Sequence, residues 1–174
     1  MSRIVYALVL TAALAAEPMV INVERGTDEL VIRVEWAEAL PEELETAFSA
    51  GSRVAIDYPL RVYARRRLFP DRKVWKGVAQ STVAFDAVTG RYLCQLIVDG
   101  TITVSREIDS ATDAHRWLVA PPGVEVPIPE ARREAFLRVR ARAVFSSGTT
   151  WLVFPSTEGI DWVEVRLEAP QDVE

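Results

Sequence analysis

Residues Ser52 to Glu107 read SRVAIDYPLRVYARRRLFPDRKVWKGVAQSTVAFDAVTGRYLCQLIVDGTITVSRE, and their period of two decides the fold class. Val54, Ile56, Tyr58, Leu60, Val62 and Ala64 fall on one face, and Asp57, Pro59, Arg61, Tyr63 and Arg65 on the other, the pattern of a half-buried strand. The alternation breaks at Asp86-Ala87-Val88-Thr89-Gly90 and at Asp99-Gly100, where the residue types suit the left-handed backbone of short hairpin loops. The stretch therefore predicts a meander of β-hairpins. Pro59 has no N–H to give to a ladder, so it is expected at an edge or a bend.

Upstream, Val20 to Glu24 and Leu30 to Trp36 flank Arg25-Gly26-Thr27-Asp28 and predict a further hairpin. Between them and the meander, Leu40 to Phe48 reads as a short helix with Pro41 at its first position. Glu42, Glu43 and Glu45 face the positive end of its dipole, Leu44, Ala47 and Phe48 form its apolar stripe, and Gly51 ends it. Downstream, Ser110 with Asp113 caps a second helix whose stripe is Ala114, Trp117 and Leu118, and Pro121-Pro122-Gly123 stops it. A proline-bounded segment, Val124 to Pro129, leads into one long strand, Phe136 to Phe145. In that strand Leu137, Val139, Ala141, Ala143 and Phe145 face inward and Arg138, Arg140 and Arg142 line up outside. Trp151 to Phe154 and Asp161 to Leu167 are the last strand candidates. The expected architecture is an all-β, mostly antiparallel β-sandwich of about eight strands with two short helices, formed by residues 16–168, with a flexible tail at 169–174.

With 174 residues, 49% of them apolar and 26% charged, the chain has the size and composition of one domain with a real core. Its formal net charge of -5 speaks against a nucleic-acid partner, which requires a cationic excess to displace counterions from phosphates. The first residues read as a targeting segment: Ser2-Arg3 is cationic, Ile4 to Leu14 is mostly apolar, and Ala13-Leu14-Ala15 has the small-x-small form of a signal peptidase site. Residues 1–15 are therefore expected to be a cleaved signal peptide, the alternative being a retained anchor. The apolar run is shorter than the roughly 20 residues a span requires, so the mature chain is expected to hold no stable transmembrane segment. Export permits disulfides, but Cys94 is the only cysteine. Its place on one face with Tyr92, Leu96 and Val98 makes it a buried small hydrophobe.

The helix ending at Ala50-Gly51, the strand from Ile56 to Arg67, the basic turn followed by Trp75, and Phe85-Asp86-Ala87-Val88-Thr89-Gly90-Arg91-Tyr92 together resemble a family of bacterial secreted proteins, domain of unknown function 4390. The resemblance runs from Val20 to Leu167. It implies an exported, mostly β domain, periplasmic or extracellular in a bacterium, and carries no catalytic residue over to this chain.

Read directly, the residues give little catalytic chemistry. Cys94 and His115 are the only thiol and the only imidazole, so a nucleophile with its base would have to be that pair, and zinc-type spacing is absent. Asp86, Asp99, Asp109 and Asp113 sit at turns or a helix start, where aspartate serves local hydrogen bonding. No glycine-rich phosphate cradle occurs. No cofactor, no metal and no catalytic set is expected.

Two basic features remain. The turn carries Arg61, Arg65, Arg66, Arg67, Arg72, Lys73 and Lys76 against the single acid Asp71, with Phe69 and Trp75 among them. Guanidinium forks grip phosphate or carboxylate and aromatics add stacking, although charged strand ends also serve solubility. The second feature is the Arg138, Arg140, Arg142 row, spaced roughly 7 Å apart along the strand, for which Glu164 or Glu168 in the last strand would be cross-strand partners. The expected role is that of an exported, non-catalytic binding or assembly module of the cell envelope. Its binding residues are expected to be Arg61, Arg65, Arg66, Arg67, Arg72, Lys73, Trp75 and Lys76, and its partner an envelope protein or an anionic lipid or polymer. The alternatives are an envelope hydrolase using carboxylates in a sandwich groove, and a carrier of a small hydrophobic ligand between the sheets.

Overall fold

A computed structural model of the chain describes residues 18–66, 68–132, 135–146 and 161–168. The expected signal peptide, the tail at 169–174, Arg67 and the strand candidate Trp151 to Phe154 lie outside the described residues. Within them the chain is mostly antiparallel strand, in two sheets. A three-stranded sheet has the order β1 (Met19–Arg25), β2 (Glu29–Trp36), β7 (Val124–Pro127). A seven-stranded sheet has the order β10 (Val163–Leu167), β8 (Leu137–Ala141), β3 (Val54–Ala64), β4 (Arg72–Asp86), β5 (Arg91–Val98), β6 (Thr101–Ile108), with β9 (Val144–Ser146) also paired to β3. Two helices, α1 (Glu42–Ser49) and α2 (Ala111–Val119), complete the set with a single 3-10 turn at Glu130–Arg132. The side chains of both sheets and both helices form one apolar cluster, so the sandwich expected from the alternation is the observed architecture.

β3 is the central strand. Its burial alternates strictly along all eleven residues, and the inward side chains from Val54 to Ala64 are each at most 2% exposed. The Val, Ile and Leu side chains among them contribute about 1.5–3 kcal/mol each on full burial. The hairpins close where the turn chemistry places them. Asp99 (φ 49°) and Gly100 (φ 83°) are both left-handed, as a two-residue hairpin loop demands, and Asp99 Oδ1 accepts from Val78 N at 2.9 Å. The helix signals hold with one shift: Pro41 precedes α1 as its N-cap residue instead of entering it, and its carbonyl accepts from Leu44 N and Glu45 N. Gly51 (φ 73°) ends α1, donating to Phe48 O at 2.9 Å.

Ten strands are present among the described residues, where about eight were expected. One reason is that the Val124 to Pro129 segment supplies β7. The other is that the expected long strand from Phe136 to Phe145 is two strands, β8 and β9, broken at Arg142-Ala143. The break faces Pro59, which corrects the expectation of an edge position. Val78, the β4 residue opposite Pro59, exchanges both its backbone bonds with Asp99. Pro59 therefore directs its own backbone groups to the other side, where its carbonyl accepts from Arg142 N at 3.3 Å. The donor that proline lacks falls at the gap between β8 and β9, so an interior strand tolerates it.

α2 lies on β4 and β5, and its carbonyl end is completed by the sheet. Arg116 O accepts from Ala120 N, but Pro121 and Pro122 have no N–H with which to cap the next carbonyls. Ser81 Oγ donates to Trp117 O at 3.0 Å and Tyr58 Oη donates to Leu118 O at 3.2 Å, both buried. Burial also pushes the Tyr58 hydroxyl far above its usual ionisation range, which keeps it a donor. Replacement Tyr58→Phe should leave Leu118 O buried without a partner and cost about 1–3 kcal/mol, read as a lower urea midpoint at unchanged slope. Ser81→Ala should act similarly through Trp117 O.

Candidate functional site

The face of β3 that points away from the core carries the site. Strand register builds it in two rows across four strands. Lys76, Arg61, Arg140 and Glu164 lie opposite one another on β4, β3, β8 and β10, and Lys73, Tyr63, Arg138 and Arg166 form the next row. Directly paired residues on neighbouring strands stand about 4.5–5.5 Å apart at Cβ, so the rows bring six basic side chains onto one surface with one carboxylate between them.

Aromatic rings order these cations. Trp162, just before β10, is approached by Arg61 at 4.3 Å and by Arg140 and Arg142 at 5.3 Å, each measured from the guanidinium carbon to the ring centroid. Arg138 lies 5.1 Å from the Tyr63 ring. Cations are held at such distances by the negative face of the ring. Two carboxylates partly compensate the charge. Asp71, from the turn before β4, meets Arg138 at 2.8 Å, and Glu164 reaches Arg138 at 3.4 Å, Arg140 at 3.8 Å and Arg166 at 3.2 Å. Arg61 and Arg142 have no carboxylate partner among the described residues. Nε of Arg138, Arg140 and Arg142 is buried without an acceptor, each covered by the neighbouring side chains.

The expected binding residues divide. Arg61, Lys73 and Lys76 belong to this face. Trp75 and Arg72 pair with the inward residues Val62 and Ala64 and so project to the opposite side. A bulge at Val74, where Val62 faces Trp75 but Tyr63 faces Lys73, separates the two sets. The Trp75 ring folds over Gly77, where an added Cβ would lie 2.4 Å from it. Arg65 and Arg66 are exposed in the turn, where Asp71 Oδ1 accepts a long bond of 3.4 Å from Arg66 N. Arg65 borders a surface groove of about 330 Å³ lined also by Asp71, Phe136, Arg138, Arg166 and Glu168. Of the two cross-strand acids expected for the arginine row, Glu164 takes that place, whereas Glu168 lies beyond the β8–β10 ladder. Trp162 and Tyr63 were missed as members of the site. Trp162 shares a strand face with Glu164 by its spacing, but nothing local indicated which strand that face would meet.

The remaining chemistry is dispersed. Cys94 is fully buried in β5, and burial raises its thiol to about 11. His115 stands at 3.3 Å from Glu45 and edge-on to Phe48 at 5.5 Å, between α2 and α1. Besides Tyr58, the fully buried side chains that carry a hydroxyl among the described residues are Ser81 and Thr82. No group of three or more His, Cys, Asp or Glu side chains among the described residues is placed to hold a metal ion, and no described helix is long and apolar enough to cross a membrane.

A family model described as Domain of unknown function (DUF4390) matches residues 15–149. The chain belongs to that family. No curated protein and no solved structure matches it. The matched stretch contains Arg61, Arg138, Arg140 and Arg142 and ends before Trp162 and Glu164.

Two outcomes are expected. Glu164→Gln should lower the melting temperature most at low ionic strength, with the deficit shrinking as added salt screens the exposed guanidinium groups. Cys94 should resist alkylation in the folded protein at pH 9, where a pKa of about 11 leaves on the order of 1% thiolate, and react fully once urea unfolds the chain.

Proposed function

We propose that this member of the family is an exported, non-catalytic binding module of the bacterial envelope that engages an anionic partner through the cationic outer face of its large sheet. The observation that carries this reading is the convergence of Arg61, Arg140 and Arg142 on Trp162. Cations brought together from separate strands repel one another unless an anion joins them. The carboxylates supplied from within, Asp71 and Glu164, reach Arg138, Arg140 and Arg166 and leave Arg61 and Arg142 unmatched. The neighbouring turn extends the same charge through Arg65 and Arg66. In a chain of net charge -5, such a local excess serves orientation: it attracts an anionic surface to one face while the rest of the molecule repels it.

The reading also agrees with what lies inside. Ser81 is spent on the end of α2, and no carboxylate is fully buried among the described residues. The sandwich interior therefore offers packing more than reactive groups. Export rests on residues 1–15, and sequencing the mature N-terminus from fractionated cells tests it, with cleavage after Ala15 or one residue later expected.

Binding is tested by placing a photoreactive residue at Lys76, which is exposed and stands opposite Arg61, and irradiating intact cells. Crosslinked species should form with the parent chain and fall at least about fivefold when Arg61, Arg65 and Arg66 are reversed to glutamate, as expected where charge steers encounter. An unchanged crosslinking pattern in the reversed variant would remove the cationic face from the function.

A further inference from the structure

We propose that Arg61, Arg140 and Arg142, gathered around Trp162, form a site for a phosphate group. This deepens the binding-module reading above by naming the chemistry of its anion.

Three guanidinium groups surround one indole, at 4.3, 5.3 and 5.3 Å from its centroid. They come from β3, from β8 and from the gap after β8, so folding itself brings them together. Among the described residues Arg61 and Arg142 are left without a carboxylate, and Arg140 has only Glu164, 3.8 Å from its Nε and shared with Arg138 and Arg166. Nε of Arg140 and Arg142 is covered, which leaves the outer Nη ends to do the donating. Contact with the indole restricts the three side chains and lowers the ordering cost of binding. A carboxylate offers two oxygens and one negative charge. A terminal phosphate offers three oxygens and close to two charges, so it satisfies several forks at once and offsets more of their mutual repulsion. Among the described residues the face carries Arg61, Lys73, Lys76, Arg138, Arg140, Arg142 and Arg166 against Asp57, Asp71 and Glu164, an excess of cations after the internal pairs are counted.

The phosphate can belong to a soluble phosphorylated molecule or to a lipid head group, and the experiment separates the two. The full chain is dialysed to equilibrium against inorganic phosphate and pyrophosphate. In parallel it is floated with phosphatidylcholine vesicles that carry or lack phosphatidic acid. Retention of the soluble anions assigns a free phosphate, and flotation with phosphatidic acid alone assigns a head group; both support the site provided they depend on these arginines. Arg61→Gln with Arg142→Gln should weaken the interaction about tenfold or more. Since neither residue is in an ion pair among the described residues, melting temperature should be retained. Arg61→Lys with Arg142→Lys, which keeps the charge but loses the fork, should weaken it several-fold, whereas Arg53→Gln with Arg116→Gln, both away from this face, changes the net charge as much as the double glutamine variant and should leave it unaltered.

Absence of retention in both assays overturns the inference, as does binding by the double glutamine variant within about twofold of the parent, since a built oxyanion site cannot lose two forks so cheaply. If phosphate binding fails while charge-dependent crosslinks from Lys76 persist, the binding-module reading stands with a different anion, and the phosphate site falls alone.

Discussion

Burial of one face of β3 is the constraint from which the rest of the arrangement follows. Six side chains from Val54 to Ala64 enter the core at 2% exposure or less, and this holds only while both long edges of the strand are paired. β4 pairs one edge along its length. The other edge meets Pro59, which has no hydrogen to donate, and it is covered instead by two shorter strands with a gap between them. That gap sets the place of Arg142, whose backbone N–H reaches the Pro59 carbonyl. A single missing donor in the middle of the sheet thus helps to arrange the cationic face on its surface.

On the core side, polarity is spent on a structural need. A helix that runs into two prolines leaves buried carbonyls that the following backbone cannot satisfy. Tyr58 and Ser81 supply hydroxyl donors from adjacent strands, which fixes α2 along the sheet as well as above it. Buried bonds of this kind add specificity because sliding the helix by one residue would orphan both carbonyls. The neutral interior and the charged outer face are consequently two sides of the same strands, separated by the alternation of β3 and β4.

The outer face shows a different balance. Guanidinium groups in adjacent positions are compatible with folding because rings and two acids share the charge and side-chain burial remains partial, near 30% exposure for Arg138 and Arg140. The exposed Arg65 and Arg66 in the turn are solvated singly and carry less constraint. The difference between the two groups is one of preorganisation: guanidinium groups held against a ring have already lost much of the freedom that a ligand would otherwise have to remove.

Local physics determined a good deal of this protein from its sequence alone. Period-two burial along β3, the left-handed Asp99-Gly100 loop, the Ser110 cap and the Gly51 stop each depend on residues within a few positions of one another, and all appear where the sequence places them. The row Arg138, Arg140, Arg142 and its acid Glu164 were also legible, since alternation assigns a residue to a face. What alternation cannot assign is the neighbouring strand. That β8 lies beside β3 and sets Arg140 opposite Arg61, that the Val74 bulge turns Trp75 away from Lys73, and that Trp162 ends beneath three guanidinium groups were decided only by tertiary structure, because strand order and register are fixed by the joint packing of segments far apart in the chain, which leaves no signature in any one of them.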